Sequence, residues 1–224
     1  MTRIIVIVTF TFFLAVTLSM GLFMSCNSPS KENTVDKISG MDESKCSAKY
    51  ELKTDMRKLW EDHVTWTRNV ILNIMDDLPG TDQAVKRLLH NQDEIGNAIK
   101  PYYGDDAGSK LTALLHTHIL QAADLLKAAK TNNKVEFDKI NNDWYANADE
   151  ISAFLSGANP NWKLDEMKEM MHTHLKYTTD EAVARQKKDY EADVAAYDRV
   201  HEEILKMSDM IYMGIVKQFP DKIK

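Results

Sequence analysis

The chain has 224 residues, of which 44% are hydrophobic and 28% are charged, and its formal net charge is −6. This length and composition are typical of one soluble globular domain, and the acidic balance disfavours nucleic acid as a partner. With only 8 Gly and 5 Pro residues, strands and tight turns are poorly supplied while helix-forming residues are abundant. The composition therefore predicts an all-α fold.

The N-terminal segment has the layout of an export signal. Arg3 supplies a positive charge, and residues 4–24 are apolar apart from Thr, Ser and Gly, which is typical of a signal peptide. The apolar run ends in Ser25-Cys26. Residues 22–26 resemble a bacterial lipobox, in which the cysteine is lipidated and becomes the mature N-terminus. We therefore expect residues 1–25 to be a signal peptide and Cys26 to carry lipid. The alternative is an uncleaved anchor, for which about 20 apolar residues are long enough.

Residues 26–48 are polar and lack helical periodicity, which predicts a flexible tether. Only Cys46 remains if Cys26 is lipidated, so no internal disulfide is expected. Residues 49–224 then form a domain in the cell envelope, outside the cytoplasm, with the membrane as a partner through the N-terminal lipid.

The domain opens with a helix predicted over about residues 50–77. Its apolar residues recur at spacings of three and four and include Trp60 and Trp66, with His63 between them on the same stripe. A shorter helical stretch follows over about residues 81–100. The first helix therefore places an imidazole on a face that should be buried.

The third predicted helix, about residues 107–130, follows a turn in which Gly104 permits positive φ. His118 stands in its apolar stripe, whereas His116, about 200° round the helix, points elsewhere. The polar residues 90–93, in the preceding helix, are a candidate interruption of that helix.

The fourth predicted helix begins at a capping-box-like pair, Asn133 and Glu136, and carries Asn147 in its inward stripe. Counting residues from a turn at Thr131 places Asn147 about one turn deeper than His118. The two side chains are therefore predicted neighbours.

A short helix around residues 164–174 and a long final helix over about residues 179–219 complete the chain. The final helix starts at a second capping box, residues 178–181, and its stripe includes His201. Four long and two short helices predict an antiparallel four-helix-type bundle with two additional short helices, in which sites form from side chains on facing helices.

Five motifs in this order resemble those of a group of bacterial helical-bundle proteins that are secreted or lipid-anchored. The motifs are WxxHxxWTR from Trp60, PYYG from Pro101, WYxNAD from Trp144, MHTHL from Met171 and KQFP from Lys217. The resemblance covers about residues 59–220 and implies no activity. Some members carry the name acetylglutamate kinase, but this chain has neither a glycine-rich phosphate loop nor the strand and helix alternation that holds one.

The resemblance also selects candidate site residues. The positions that match the group's pattern are His63, Arg68, His118, Asn147 and His174. Arg68 and His174 are therefore expected near the ligand site, while His201 has no counterpart in the motifs.

Two interpretations of the inward polar residues remain open. In the first, each histidine is a core residue that forms a hydrogen bond with a neighbour. In the second, several of the histidines bind one ligand together. Because an unpaired buried polar group costs about 1–3 kcal/mol, a group of them at one level favours mutual partners, water or a ligand. Neutral imidazole binds zinc, copper, iron and nickel, so His63 and His118 are candidate ligands of a transition metal.

The predicted function is therefore a tethered binding protein for a small ligand or a metal at a mid-bundle site. The alternatives are a structural or partner-binding lipoprotein and a metal-dependent enzyme. No catalytic residue is assigned, because no arrangement of nucleophile and base is readable from the sequence.

Overall fold

The structure, a computed structural model, describes residues 35–223, with side chains from Lys45 onward. The described chain is helical throughout, apart from the short connections, which confirms the all-α prediction. The helices are α1 (Val35–Met75), α2 (Thr81–Tyr103), α3 (Asp105–Lys130), α4 (Lys134–Ala158), α5 (Leu164–Gln186) and α6 (Tyr190–Gln218). The predicted signal peptide and Cys26 lie outside the described residues. No helix in this range is long and apolar enough to cross a membrane.

Several helix boundaries differ from the prediction. The first helix starts at Val35 and so overlaps the predicted tether. The two helices expected to be short, α2 and α5, each have 23 residues. The expected start of the last helix at residue 179 is wrong, because α5 continues to Gln186. The hydroxyls of Thr178 and Thr179 donate to carbonyls one turn back within α5 and cap no helix.

The bundle has an inner and an outer set of three helices. The inner helices α1, α3 and α5 contact one another, and each outer helix contacts two of them: α2 lies against α1 and α3, α4 against α3 and α5, and α6 against α5 and α1. Because short loops join antiparallel neighbours, the three inner helices run in the same direction. The architecture is therefore three helical hairpins, which corrects the predicted arrangement of four main helices.

The three hairpins share the same local structure at a nearly constant spacing. Each loop between an inner and an outer helix contains one non-glycine residue with positive φ, and these are Asp77, Asn132 and Lys188 (φ 55°, 53° and 60°). In each loop the amide of the next residue donates to the carbonyl five residues back, as in a Schellman helix end. The sequence interval from the first of these positions to the second nearly equals the interval from the second to the third, so the chain is a structural triplicate.

One end of the bundle is closed by residues from two of the sequence motifs. The hydroxyl of Tyr103 donates to Oε1 of Gln218 over 2.9 Å and accepts from Nδ2 of Asn159 over 2.8 Å. Its ring lies 5.6 Å from Trp162 and 5.1 Å from Phe219. The PYYG and KQFP motifs therefore pack against each other and fix the ends of α2, α4 and α6.

Candidate functional site

Three buried histidines, one from each inner helix, line the same cavity. His63 on α1, His118 on α3 and His174 on α5 are 3%, 2% and 3% exposed. The sequence intervals between them are the same as those between the three positive-φ loop residues, so they occupy equivalent positions in the three hairpins. The cavity has a volume of about 20 Å³, which holds about one water molecule. The structure thus brings together three of the predicted site residues.

Each of these histidines bonds to a polar residue on the outer helix of its own hairpin, and the sequence separation is 29 in all three pairs. The bonds join Nδ1 of His118 to Oδ1 of Asn147 (3.0 Å), Nδ1 of His174 to Oε2 of Glu203 (2.9 Å) and Nδ1 of His63 to Nε2 of Gln92 (3.2 Å). The predicted contact between His118 and Asn147 is confirmed. The sequence prediction missed both Gln92 and Glu203.

The partner of each imidazole determines where its proton lies. Amide and carboxylate oxygens accept, so Nδ1 of His118 and of His174 carries a proton, and in the neutral form of each ring Nε2 has the lone pair. Nε2 of Gln92 donates, so Nδ1 of His63 accepts and its Nε2 carries the proton. No other described residue forms a hydrogen bond with the Nε2 atoms of these histidines. In their neutral forms, the Nε2 lone pairs of His118 and His174 are therefore available to a ligand in the cavity.

Burial favours the neutral form of His63 and of His118. Desolvation lowers the pKa of His118 to about 3, with a smaller effect from His174. Desolvation also lowers the pKa of His63 well below its usual value, and a positive charge on His174 or His118 acts in the same direction. The protonated form of either residue is therefore disfavoured at neutral pH. Neutral imidazole is the form that binds metals.

Four of the seven buried side-chain N and O atoms without a partner in the described residues belong to neighbours of the histidines, which are Trp60, Gln92, Trp144 and Glu203. Nε1 of Trp60, whose ring lies 5.8 Å from that of His63, has none, and nor has Nε1 of Trp144, whose ring lies 5.2 Å from that of His118. Oε1 of Glu203 is also unpaired. Because each such atom costs about 1–3 kcal/mol, their grouping at one level calls for a functional explanation.

Arg68 does not line this cavity, although the resemblance placed it near the site. Its Nη1 donates to Glu181 over 2.6 Å and to Asp193 over 2.8 Å, and both carboxylates are buried. Burial raises the pKa of Glu181 to about 7, although Arg68 opposes the shift. Glu181 is seven residues after His174, or about two turns along α5. Arg68 therefore belongs to a separate ion-pair cluster farther along the bundle.

The expectation that His201 points inward is wrong. Its side chain is 38% exposed, and its Nε2 lies 3.3 Å from Oε1 of Glu61. The first half of α6 buries Val200 and Glu203, whereas Val194, seven residues before His201 and so on the same face, is 52% exposed. The prediction extended the inward face from a helix that ends at Gln186 and so followed the wrong face over the first half of α6, whereas Ile204, Ile211 and Ile215, also predicted to point inward, are buried.

One signal in the sequence points to the missed residues. The triplet His-Thr-His occurs at residues 116–118 and again at residues 172–174, and His63 precedes His118 by nearly the same interval. The interval between these histidines identifies equivalent positions in three repeated hairpins, and applying it to Asn147 leads to Gln92 and Glu203. Gln92 lies in the stretch proposed as an interruption, but α2 is continuous there and Gln92 is fully buried.

No group of three His, Cys, Asp or Glu side chains in the described range is already arranged to hold a metal ion. Binding of an ion by the three imidazoles therefore requires their rings to converge. The ring centroids of His63 and His174 are 5.7 Å apart.

Comparisons of the chain with models of protein families, with curated proteins and with solved structures find no match. Function is therefore inferred from the geometry of the site.

Proposed function

We propose that this chain is a membrane-tethered, extracytoplasmic helical bundle that binds one transition-metal ion at the three-histidine cavity. The observation that carries the proposal is that His63, His118 and His174, at equivalent positions of three hairpins, line one cavity of about 20 Å³. Sites for small organic molecules usually enclose about 300–1,000 Å³. Of the two ligand classes predicted from the sequence, the cavity volume favours a metal ion.

The hydrogen bonds around the imidazoles support metal binding. Metal-binding histidines usually donate their second ring N–H to a carbonyl or carboxylate oxygen, which fixes the tautomer and orients the ring. His118 and His174 already do so through Asn147 and Glu203. These hydrogen bonds leave Nε2 of each neutral ring as the nitrogen that can coordinate an ion once the rings converge.

His63 requires one proton to move before it binds an ion. Its Nδ1 accepts from Nε2 of Gln92, which also lies 2.8 Å from the carbonyl of Leu88 and 3.0 Å from Oδ1 of Asn91. This amide nitrogen has two protons for three acceptors, while Oε1 of the same side chain has no partner. If the amide turns over, Oε1 accepts from Nδ1 of His63 and frees the lone pair on its Nε2.

Metal retention by the full chain, purified in detergent without a histidine tag, tests the proposal. The protein is stripped with a chelator, offered Zn²⁺, Ni²⁺, Co²⁺, Cu²⁺ or anaerobic Cu⁺ in turn, and assayed by elemental analysis after gel filtration. We expect the wild type to retain one ion per chain and His118→Gln to lose it. His116→Gln is the matched control, because His116 lies two residues away and its Nε2 lies 3.1 Å from the carbonyl of Leu89 and 2.9 Å from Oδ1 of Asp93, outside the cavity.

Two results contradict metal binding. Either the wild type retains none of these ions, or His118→Gln retains the ion as well as His116→Gln does. The histidines then serve only to pack and to pair the helices, and the chain is a structural or partner-binding lipoprotein.

The membrane tether has its own test. If Cys26 is lipidated, Cys26→Ser leaves the chain unprocessed or moves it from the membrane fraction to the soluble fraction. Cys46→Ser is the control, because this exposed free cysteine has no part in the anchor. Unchanged processing and anchoring of Cys26→Ser contradicts the prediction.

A further inference from the structure

We infer that the ion bound at the three-histidine cavity is monovalent copper, Cu⁺, with a methionine sulfur as an additional ligand. The inference rests on the proposed metal binding and adds to it the identity of the ion. It comes from three features of the cavity: its sulfur atoms, its lack of side-chain oxygen ligands and its charge.

Methionine supplies the only other ligand atoms among the cavity's side chains. Four of the fifteen lining residues are methionines, and the rest, apart from the histidines, are aliphatic or Trp60. The methionines are Met56, Met167, Met171 and Met207, each at most 4% exposed. Thioethers favour Cu⁺, imidazoles suit zinc, copper, iron and nickel, and magnesium, calcium and manganese prefer oxygen. Copper is the ion that both ligand types accept.

The charge of the surroundings favours a monovalent ion. Imidazole and thioether ligands are neutral, and Glu203, which contacts His174, supplies at most one negative charge. Nearby Glu181 and Asp193 are already paired with Arg68 and Arg185. Because the cost of burying an ion rises with the square of its charge, a divalent ion leaves an uncompensated charge in an apolar cavity. A monovalent ion is balanced by one carboxylate.

Met171 is the most direct candidate for the sulfur ligand. It lies three residues before His174 on α5, so the two side chains share a face of the helix. The equivalent positions in the other hairpins hold Trp60 and Leu115. Leucine therefore already fits this layer of the bundle, and Met171→Leu is expected to fold.

Met170 provides a matched control on the same helix. It is partly buried against the core but does not line the cavity, and both other hairpins have leucine at its position, Leu59 and Leu114. Met170→Leu and Met171→Leu thus make the same chemical change in neighbouring residues, only one of which faces the cavity.

The experiment is a competition for Cu⁺ between the full chain in detergent and a colorimetric Cu⁺ chelator, under anaerobic reducing conditions. All proteins carry Cys46→Ser, because an exposed thiol binds Cu⁺ by itself. We expect the parent protein to bind one Cu⁺ more tightly than Zn²⁺ or Cu²⁺. Met171→Leu should weaken Cu⁺ binding at least about tenfold, and Glu203→Gln about 10–100-fold, whereas Met170→Leu should not change it.

The outcomes separate this inference from the proposal on which it rests. If a divalent ion binds more tightly than Cu⁺ and His118→Gln abolishes that binding, the cavity is a metal site but the assignment to Cu⁺ is overturned. The assignment is also overturned if Met171→Leu and Met170→Leu bind Cu⁺ equally well. If no ion is retained by the parent protein, both proposals fall.

Discussion

Acidification should destabilise the metal-free protein through His118. The pKa of this residue is about 3 in the folded chain and about 6.5 in an unfolded one. Between these values the unfolded state binds a proton that the native state does not. The stabilisation is therefore complete above about pH 6.5 and is lost as the pH falls from 6.5 toward 3.

The size of the effect follows from the width of this pH window. Each pH unit within it changes the free energy of unfolding by about 1.4 kcal/mol per group, so His118 alone should cost about 2 kcal/mol between pH 6.5 and about pH 5. His63 acts in the same direction because burial lowers its pKa too. Glu181 acts oppositely, since its raised pKa of about 7 lets the native state take up a proton first.

A comparison of two variants isolates the contribution of His118. The free energy of unfolding is measured with urea, in the presence of a chelator, at about pH 7.5 and about pH 5 for the wild type, His118→Gln and His116→Gln. Groups such as Glu181 contribute equally to all three proteins. The wild type and His116→Gln should lose about 2 kcal/mol more on acidification than His118→Gln. Equal losses in all three would show that His118 is not held neutral by burial.

Three further substitutions test the hydrogen bonding and packing of the bundle. Asn147→Ala leaves the Nδ1 proton of His118 without a partner and should lower the free energy of unfolding by about 1–3 kcal/mol, whereas exposed Asn142→Ala should have little effect; equal effects would contradict the hydrogen bond. Gly96→Ala places a Cβ 2.7 Å from a backbone carbonyl of α3 and should cost about 1–3 kcal/mol. Gly157→Ala meets nothing within 4 Å and should stabilise α4 by up to about 1 kcal/mol. Thermal unfolding of both glycine variants checks the sign of each effect.

The helical fold and part of the site were predictable because they depend on local patterns. Apolar residues at a spacing of three and four located the inward faces of α1 and α3, and counting back from a turn paired His118 with Asn147. The cap at Asn133 was also readable, and its side chain accepts from the amide of Glu136.

The break between α5 and α6 was not predictable from residue types. The equivalent loops contain Asp77 and Asn132 at positive φ, and these residue types tolerate that conformation. The third loop places Lys188 there, with neither Gly nor Pro beside it. Because the break was not predicted, the inward face of the first half of α6 was misassigned, and His201 was chosen instead of Glu203.

The pairing of each inner histidine with a residue of its own hairpin has a consequence for symmetry. A trimer of identical hairpins would build a similar layer of three imidazoles, but symmetry would give every imidazole the same partner. Joining the hairpins in one chain removes that restriction. The three partners are Gln92, Asn147 and Glu203, so one carboxylate faces one imidazole while the other two face amides. A single chain can therefore adjust the charge at the centre of the bundle one residue at a time, which a symmetric trimer cannot do.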